Sequence, residues 1–195
     1  MFSYNSQCEF NFDWCNSNIQ KAIISLASST KGQTGLNIEV GCFEGKSSVL
    51  HANILYPEKI ICVDPWLDMS TYEPKEEADF FIKMYKEKKV EDIFRHNMKV
   101  GTEGNYEVRQ CGWQDVFYDW DYGSEEVKYL YLDGPHGYDE VIKQLETIYP
   151  YIKKGGVICG DDYDDPKVSA AVNDFFKVSN LGFAGSPQTW FKVKD

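Results

Sequence analysis

Acidic residues stand at or beside the ends of four apolar runs, and chemistry would begin with them. Glu39 lies within Leu36–Val40 just before a glycine turn, Asp64 ends Ile60–Val63, Asp133 ends Val127–Leu132, and Asp161-Asp162 follow Gly156–Gly160. A carboxylate like Asp64 can accept both hydroxyls of a ribose, as the acid at the equivalent turn of nucleotide folds does; capping a helix or facing solvent is the plainer use. Carboxylates on neighbouring strands, about 4.8 Å apart, can converge on one hard cation, since oxygen ligands suit magnesium or calcium. Asp133 with Asp161 or Asp162 forms such a candidate pair, and a turn capping the next helix is the alternative for Asp161-Asp162.

The glycine turn reads Glu39-Val-Gly41-Cys42-Phe43-Glu44-Gly45-Lys46-Ser47. Gly41 and Gly45 let backbone and ligand approach closely. The spacing departs from the G-x-G-x-x-G of dinucleotide folds, where a pyrophosphate sits on the helix N-terminus. Phe43 holds the place of that pattern's second glycine and would crowd a diphosphate, so the loop suits a ligand without phosphates. Trp66, just past Asp64, could wall an adenosine or fill the core.

These residues need elements to position them. Apolar spacing predicts a helix over 12–30 (Ile19, Ala22, Ile23, Leu26, Ala27), which packs on the sheet or lids the pocket. Strands are expected at 36–40, 59–64, 106–110, 127–133 and 156–160. Helices are expected at 46–56 and 166–178, with one or two over 76–97, a short one over 113–119 and one carrying Val141, Leu145, Ile148, Tyr149 and Ile152 up to a stop at Lys153-Lys154-Gly155-Gly156. A loop is expected over 65–75, and two short strands flank the turn Gly185–Gln188. This alternation implies an α/β fold: an open, doubly wound, mostly parallel sheet with helices on both faces, its closing strand pair antiparallel. Ligands of such sheets bind outside the carboxyl ends of the strands. The glycine loop, Asp64, the turn Cys111-Gly112-Trp113-Gln114, Asp133 and Asp161-Asp162 all fall at that edge.

Four motifs in this order resemble the class I S-adenosylmethionine-dependent methyltransferases: Glu39–Ser47, Val63-Asp64-Pro65-Trp66, Asp133-Gly-Pro-His136-Gly-Tyr138 and Gly155–Tyr163. The branch they are most similar to is the small O-methyltransferase group that includes sugar and macrolide-sugar enzymes, over residues 35–178. The resemblance implies a Rossmann-like seven-stranded sheet with an antiparallel last strand. It implies S-adenosyl-L-methionine as cofactor, with Gly41, Cys42, Phe43, Gly45 and Ser47 facing its methionine end, Glu39 supporting that loop, and Asp64 on the ribose. Trp66, Asp133 and the Gly112-Trp113 turn, which borders the adenine, complete the cofactor set. It further implies Asp133, Asp161 and Asp162 as ligands of Mg2+ or another divalent cation that holds vicinal hydroxyls of the acceptor. His136 or Asp133 would take the hydroxyl proton, a neutral imidazole being a suitable base. Relatives often carry Asp-Gly-Asp-His-Ser-Tyr; here Pro135 removes one carboxylate and one N–H donor from that loop.

The bulk numbers bound the rest. The 195 residues suffice for one domain, read as a helical segment (1–34), a cofactor-binding core (35–178) and a strand pair (179–195). A formal charge of −11 argues against tight binding to a phosphate backbone. No run is apolar enough for a membrane helix and no secretory signal is visible, so a cytoplasmic protein is expected. Cys8, Cys15, Cys42, Cys62, Cys111 and Cys159 form no C-x-x-C pair and read as reduced thiols. A small molecule or glycan is the expected partner. The aromatic residues Phe2, Tyr4, Phe10, Phe12, Trp14, Tyr72 and Tyr106 fit an acceptor wall, core packing or a homo-oligomer contact. A nicotinamide-dependent oxidoreductase and a noncatalytic cofactor-binding module are the alternatives.

Overall fold

The computed structural model describes residues 2–66, 75–118, 120, 122–177, 180–185 and 187–195. Most of the loop expected over 65–75, Tyr72 included, lies outside them. Seven strands form one sheet: β1 (Leu36–Val40), β2 (Ile60–Val63), β3 (Tyr106–Arg109), β4 (Val127–Leu132), β5 (Ile152–Gly160), β6 (Gly182–Phe183) and β7 (Trp190–Val193). Their order is β3-β2-β1-β4-β5-β7-β6. The first five are parallel, and β7 runs antiparallel to both β5 and β6, as the sequence implies.

Strand alternation divides the core. Ile60 and Cys62 of β2, Tyr129 and Tyr131 of β4, and Val157 and Cys159 of β5 join one cluster. Ile61, Val63, Ile38, Val40, Leu130, Leu132 and Ile158 point the other way into a second. The first cluster is covered by α1 (Ser17–Thr30), α2 (Lys46–Leu55) and α4 (Val90–Gly101), the second by α5 (Trp113–Tyr118), α6 (Tyr138–Ile148) and α7 (Pro166–Phe176). A further helix, α3 (Lys75–Lys88), precedes α4 and is separated from it by Lys89 at φ 51. Among the described residues, no helix is long and apolar enough to cross a membrane.

Two of the boundaries that differ from the periodic reading have a clear local reason. The first helix starts at Ser17 rather than near residue 12, because the Asn16 side chain accepts from the N–H groups of Asn18 and Ile19. The helix after Asp133 ends at Ile148, since Pro150 cannot continue the hydrogen-bond ladder, and a short 3-10 turn (Tyr149–Tyr151) follows. Ile152, Lys153, Lys154 and Gly155 therefore begin β5 instead of closing the helix.

Residues 2–14, freed from helix, form a strap over the start of α2. Tyr4 Oη donates to the Lys46 carbonyl at 3.1 Å, and Asp13 pairs with the Lys46 ammonium. The Glu44 carboxylate accepts from the Asn11 backbone N–H and side-chain amide, both at 2.8 Å, and from Phe12 N–H. Fully buried Asn97 of α4 accepts from Glu9 N–H at 2.7 Å and donates to the carbonyls of Glu9 and Glu44. Replacing Asn97 with alanine leaves buried backbone groups unpaired and should cost about 2–3 kcal/mol. Asn97→Ala should also expose residues 2–14 to limited proteolysis before the rest of the chain. A strap cut no faster than in the wild type would show that Asn97 does not hold it.

Candidate active site

Backbone pairing runs one residue beyond the strand ends. Asp64 N–H donates to the Arg109 carbonyl, Gly41 N–H to Val63, Asp133 N–H to Val40 and Asp161 N–H to Leu132, at 2.8–3.2 Å. Asp64, Gly41, Asp133 and Asp161 thus stand side by side on the carboxyl edge of β2, β1, β4 and β5. Gly41 adopts φ +86, and a Cβ there would lie 1.8 Å from the Asp133 carbonyl oxygen. No side chain fits at that crossing.

The glycine loop is held by Asp64. Its Oδ2 accepts from Cys42 N–H at 2.8 Å and Phe43 N–H at 3.0 Å, and its Oδ1 from Trp66 N–H at 2.8 Å. At 3% exposure, the carboxylate uses both oxygens on the backbone around the loop, where the resemblance implies a ribose. Burial, reinforced by the charge of Glu39, pushes the Asp64 pKa up to about 6 against the pull of the three N–H donors.

Trp66 is core rather than wall. It is fully buried against Phe94 and donates from Nε1 to the Phe43 carbonyl at 2.9 Å. Trp113 is likewise sunk in the core at the start of α5. Gly112 is occupied locally, its N–H meeting the Asp115 carboxylate at 3.2 Å. Phe43, at φ 48, stacks on Trp14 of the strap with ring centres 4.6 Å apart.

Glu39 does not support the loop through its side chain. It is fully buried, and neither carboxylate oxygen has a hydrogen-bond partner among the described residues. Its nearest partner of opposite character is the His51 ring, 3.4 Å from Oε2, whose other nitrogen meets the Tyr129 hydroxyl at 2.9 Å. Ser47 is nearly buried in the first turn of α2, where Gly45 supplies no side-chain cap.

Beyond Gly41 the edge is crowded with carboxylates. Partial burial and the charges of Asp162 and Asp161 hold the Asp133 carboxyl well above the usual range, with His136 opposing them. Burial and Asp162 likewise push Asp161 up to about 6. The ligand atoms of Asp133, His136 and Asp162 lie within 4.8 Å of one another, and His136 Nε2 is 2.9 Å from Asp162 Oδ2. Asp161, expected as a third ligand, is outside this group and accepts from the Thr189 hydroxyl at 3.3 Å. His136 lies in this group instead, facing Asp162, whose backbone is at φ 56.

A family model described as a methyltransferase domain matches residues 38–163. The chain belongs to this family. The matched span of the methyltransferase domain contains Glu39, the glycine loop, Asp64, Asp133, His136, Asp161 and Asp162. The uncharacterised protein R132 of Acanthamoeba polyphaga mimivirus is 27% identical over 156 residues, which is 76% of this chain and 62% of that protein. The chain therefore spans under two thirds of that curated relative. Among solved structures, CalS11, a TDP-rhamnose 3'-O-methyltransferase of calicheamicin biosynthesis, matches with a TM-score of 0.61 at 16% identity, over 90% of this chain and 78% of its own. An O-methyltransferase from Bacillus cereus in complex with SAH matches with 0.62 at 15% identity, over 92% of this chain and 82% of its own. These two likenesses are likenesses of fold.

Glu44 and Asn97 were not readable as site-shaping residues: Glu44 follows no period, and Asn97 shares the buried stripe of Val90, Phe94 and Met98 in α4. The available hint was an acid placed inside a glycine loop. For Asp64 the sign of the pH effect is definite. Its folded pKa of about 6 exceeds the roughly 3.9 of an unfolded aspartate, so the fold binds this proton more tightly. The stability it contributes is full below about pH 4 and is lost as pH rises to about 6. The stability difference between wild type and Asp64→Asn in urea titrations should shift against the wild type from pH 4 to 6 and stay flat above. A difference that is constant over this range would show an aspartate titrating as if unburied.

Proposed function

We propose that the chain is an S-adenosylmethionine-dependent methyltransferase acting on a hydroxyl of a small molecule or sugar, assisted by a divalent cation. The observation that carries this reading is the meeting, at one sheet edge, of an uncapped helix start, a buried carboxylate without a hydrogen bond, and an acidic cluster with one imidazole. An amino-acid end group fits the first two features. Its carboxylate suits the positive dipole end of α2, which has no side-chain cap, and its ammonium suits the negative field of fully buried Glu39. The family match over 38–163 supports the same choice.

A nicotinamide dinucleotide fits poorly. The amides of Cys42 and Phe43, which would cradle a pyrophosphate, already donate to Asp64, and that carboxylate would repel a diphosphate. The cofactor supplies a sulfonium methyl open to in-line attack by oxygen. A divalent cation supplies Lewis acidity towards the acceptor hydroxyl and neutralises the carboxylates. Asp133 and Asp162 hold the cation, and Asp133 or His136 receives the hydroxyl proton. Because Gly41 fixes the loop against the Asp133 backbone, cofactor and acid cluster keep one spacing, as a displacement reaction requires. CalS11 is described as acting on TDP-rhamnose, which supports a sugar as one acceptor class.

Titration calorimetry tests the cofactor. S-adenosylhomocysteine should bind with micromolar affinity, and Glu39→Gln should weaken it by about tenfold or more, near 1.4 kcal/mol. Micromolar NAD binding with no response to S-adenosylhomocysteine would overturn the reading. With sugar nucleotides and polyhydroxylated small molecules as acceptors, EDTA should lower methyl transfer and a divalent cation restore it. Full transfer in the chelated enzyme would remove the metal from the reaction.

A further inference from the structure

Three ligand atoms of two kinds converge beside the candidate active site. Asp133 and Asp162 offer carboxylate oxygens and His136 an imidazole nitrogen, all within 4.8 Å of one another. They come from two loops, one after β4 and one after β5, whose strands are paired in register up to Leu132 and Gly160. The side chains are half-exposed, His136 at 27% and Asp162 at 38%, so an ion can enter while part of its shell is protein.

The cavity lined by these three residues is also lined by Gln144 and Trp190. Both are almost wholly buried, and neither Gln144 Nε2 nor Trp190 Nε1 has a hydrogen-bond partner among the described residues. Unpaired buried N–H donors are rare in a finished fold. Beside a cation site they suit oxygen atoms of its remaining shell, water or acceptor hydroxyl. Within the group, His136 is the one side chain able to carry positive charge among Asp133, Asp161 and Asp162. A bare His–Asp pair would leave the other two carboxylates in mutual repulsion.

We propose that Asp133, His136 and Asp162 bind one divalent ion directly, and that the imidazole nitrogen makes the site select a first-row transition ion over Mg2+. The inference rests on the reading of this edge as cation-assisted, but it concerns ion choice rather than methyl transfer. Magnesium prefers an all-oxygen shell and sheds water reluctantly, whereas imidazole suits the transition ions. His136 then serves as ligand rather than as proton acceptor.

The test needs neither cofactor nor acceptor. Chain stripped with EDTA and dialysed is titrated with Mn2+ and with Mg2+ by calorimetry, and the Mn2+ form is examined by pulsed electron paramagnetic resonance. The wild type should bind Mn2+ at least about tenfold more tightly than Mg2+ and show modulation from a directly bonded 14N. His136→Gln should lose the nitrogen modulation and most of the Mn2+ preference while leaving Mg2+ affinity little changed. Asp162→Asn, on the other strand's loop, should weaken both ions. Circular dichroism checks that each variant is folded. Equal affinity for the two ions, absence of the nitrogen signal, a His136→Gln chain that keeps the preference, or no ion binding would each overturn the proposal. Because S-adenosylhomocysteine binding is measured separately, failure here leaves the cofactor reading standing, and failure there leaves this one standing.

Discussion

The backbone contact between Gly41 and Asp133 sets the geometry on which the site depends. Parallel pairing of β1 and β4 extends one residue past the strand ends, and it presses the Gly41 Cα against the Asp133 carbonyl so closely that a Cβ would sit at 1.8 Å. The glycine loop and the acid cluster therefore share one rigid seam. Asp64 secures the loop from the other side by accepting three N–H groups. Loop, seam and cluster are fixed by backbone and buried side chains, while the groups offered to ligands lie at the rim.

That seam explains how charge is distributed. Glu39, Asp133, Asp161 and Asp162 fall on adjacent strands or their first loop residues, and each raises the cost of ionising another. A fold that repeats a carboxylate at the end of strand after strand gathers negative potential by topology alone. Cationic ligands, whether sulfonium, ammonium or metal ion, are what such an edge attracts.

The sequence made the architecture legible because burial is periodic. Strands β1, β2 and β4 are apolar runs, α6 and α7 carry regular stripes, and the acids mark where the strands stop. Pro150 could have corrected the end of α6, but the stripe through Tyr149 and Ile152 masked it. Residues whose roles depend on distant partners were opaque. The sequence permits Asp64 to hold either a sugar or a loop; only folding turns its oxygens to Cys42, Phe43 and Trp66. The position of His136 was equally hidden, since its approach to Asp162 depends on the loops after β4 and β5 rather than on strand register. The strap was hidden because Phe12, Trp14 and Glu44 follow no period and find partners far along the chain.

The strap has a consequence for how the chain comes into being. Glu9 is held by Asn97, 88 positions later, and Asn11 by Glu44. During synthesis the aromatic residues of the strap cannot dock until α4 has emerged from the ribosome, so until then they are exposed to chaperones and to one another. The segment that covers the glycine loop is thus made before its partners and settles only after them. Formation of the pocket's rim waits on completion of much of the scaffold.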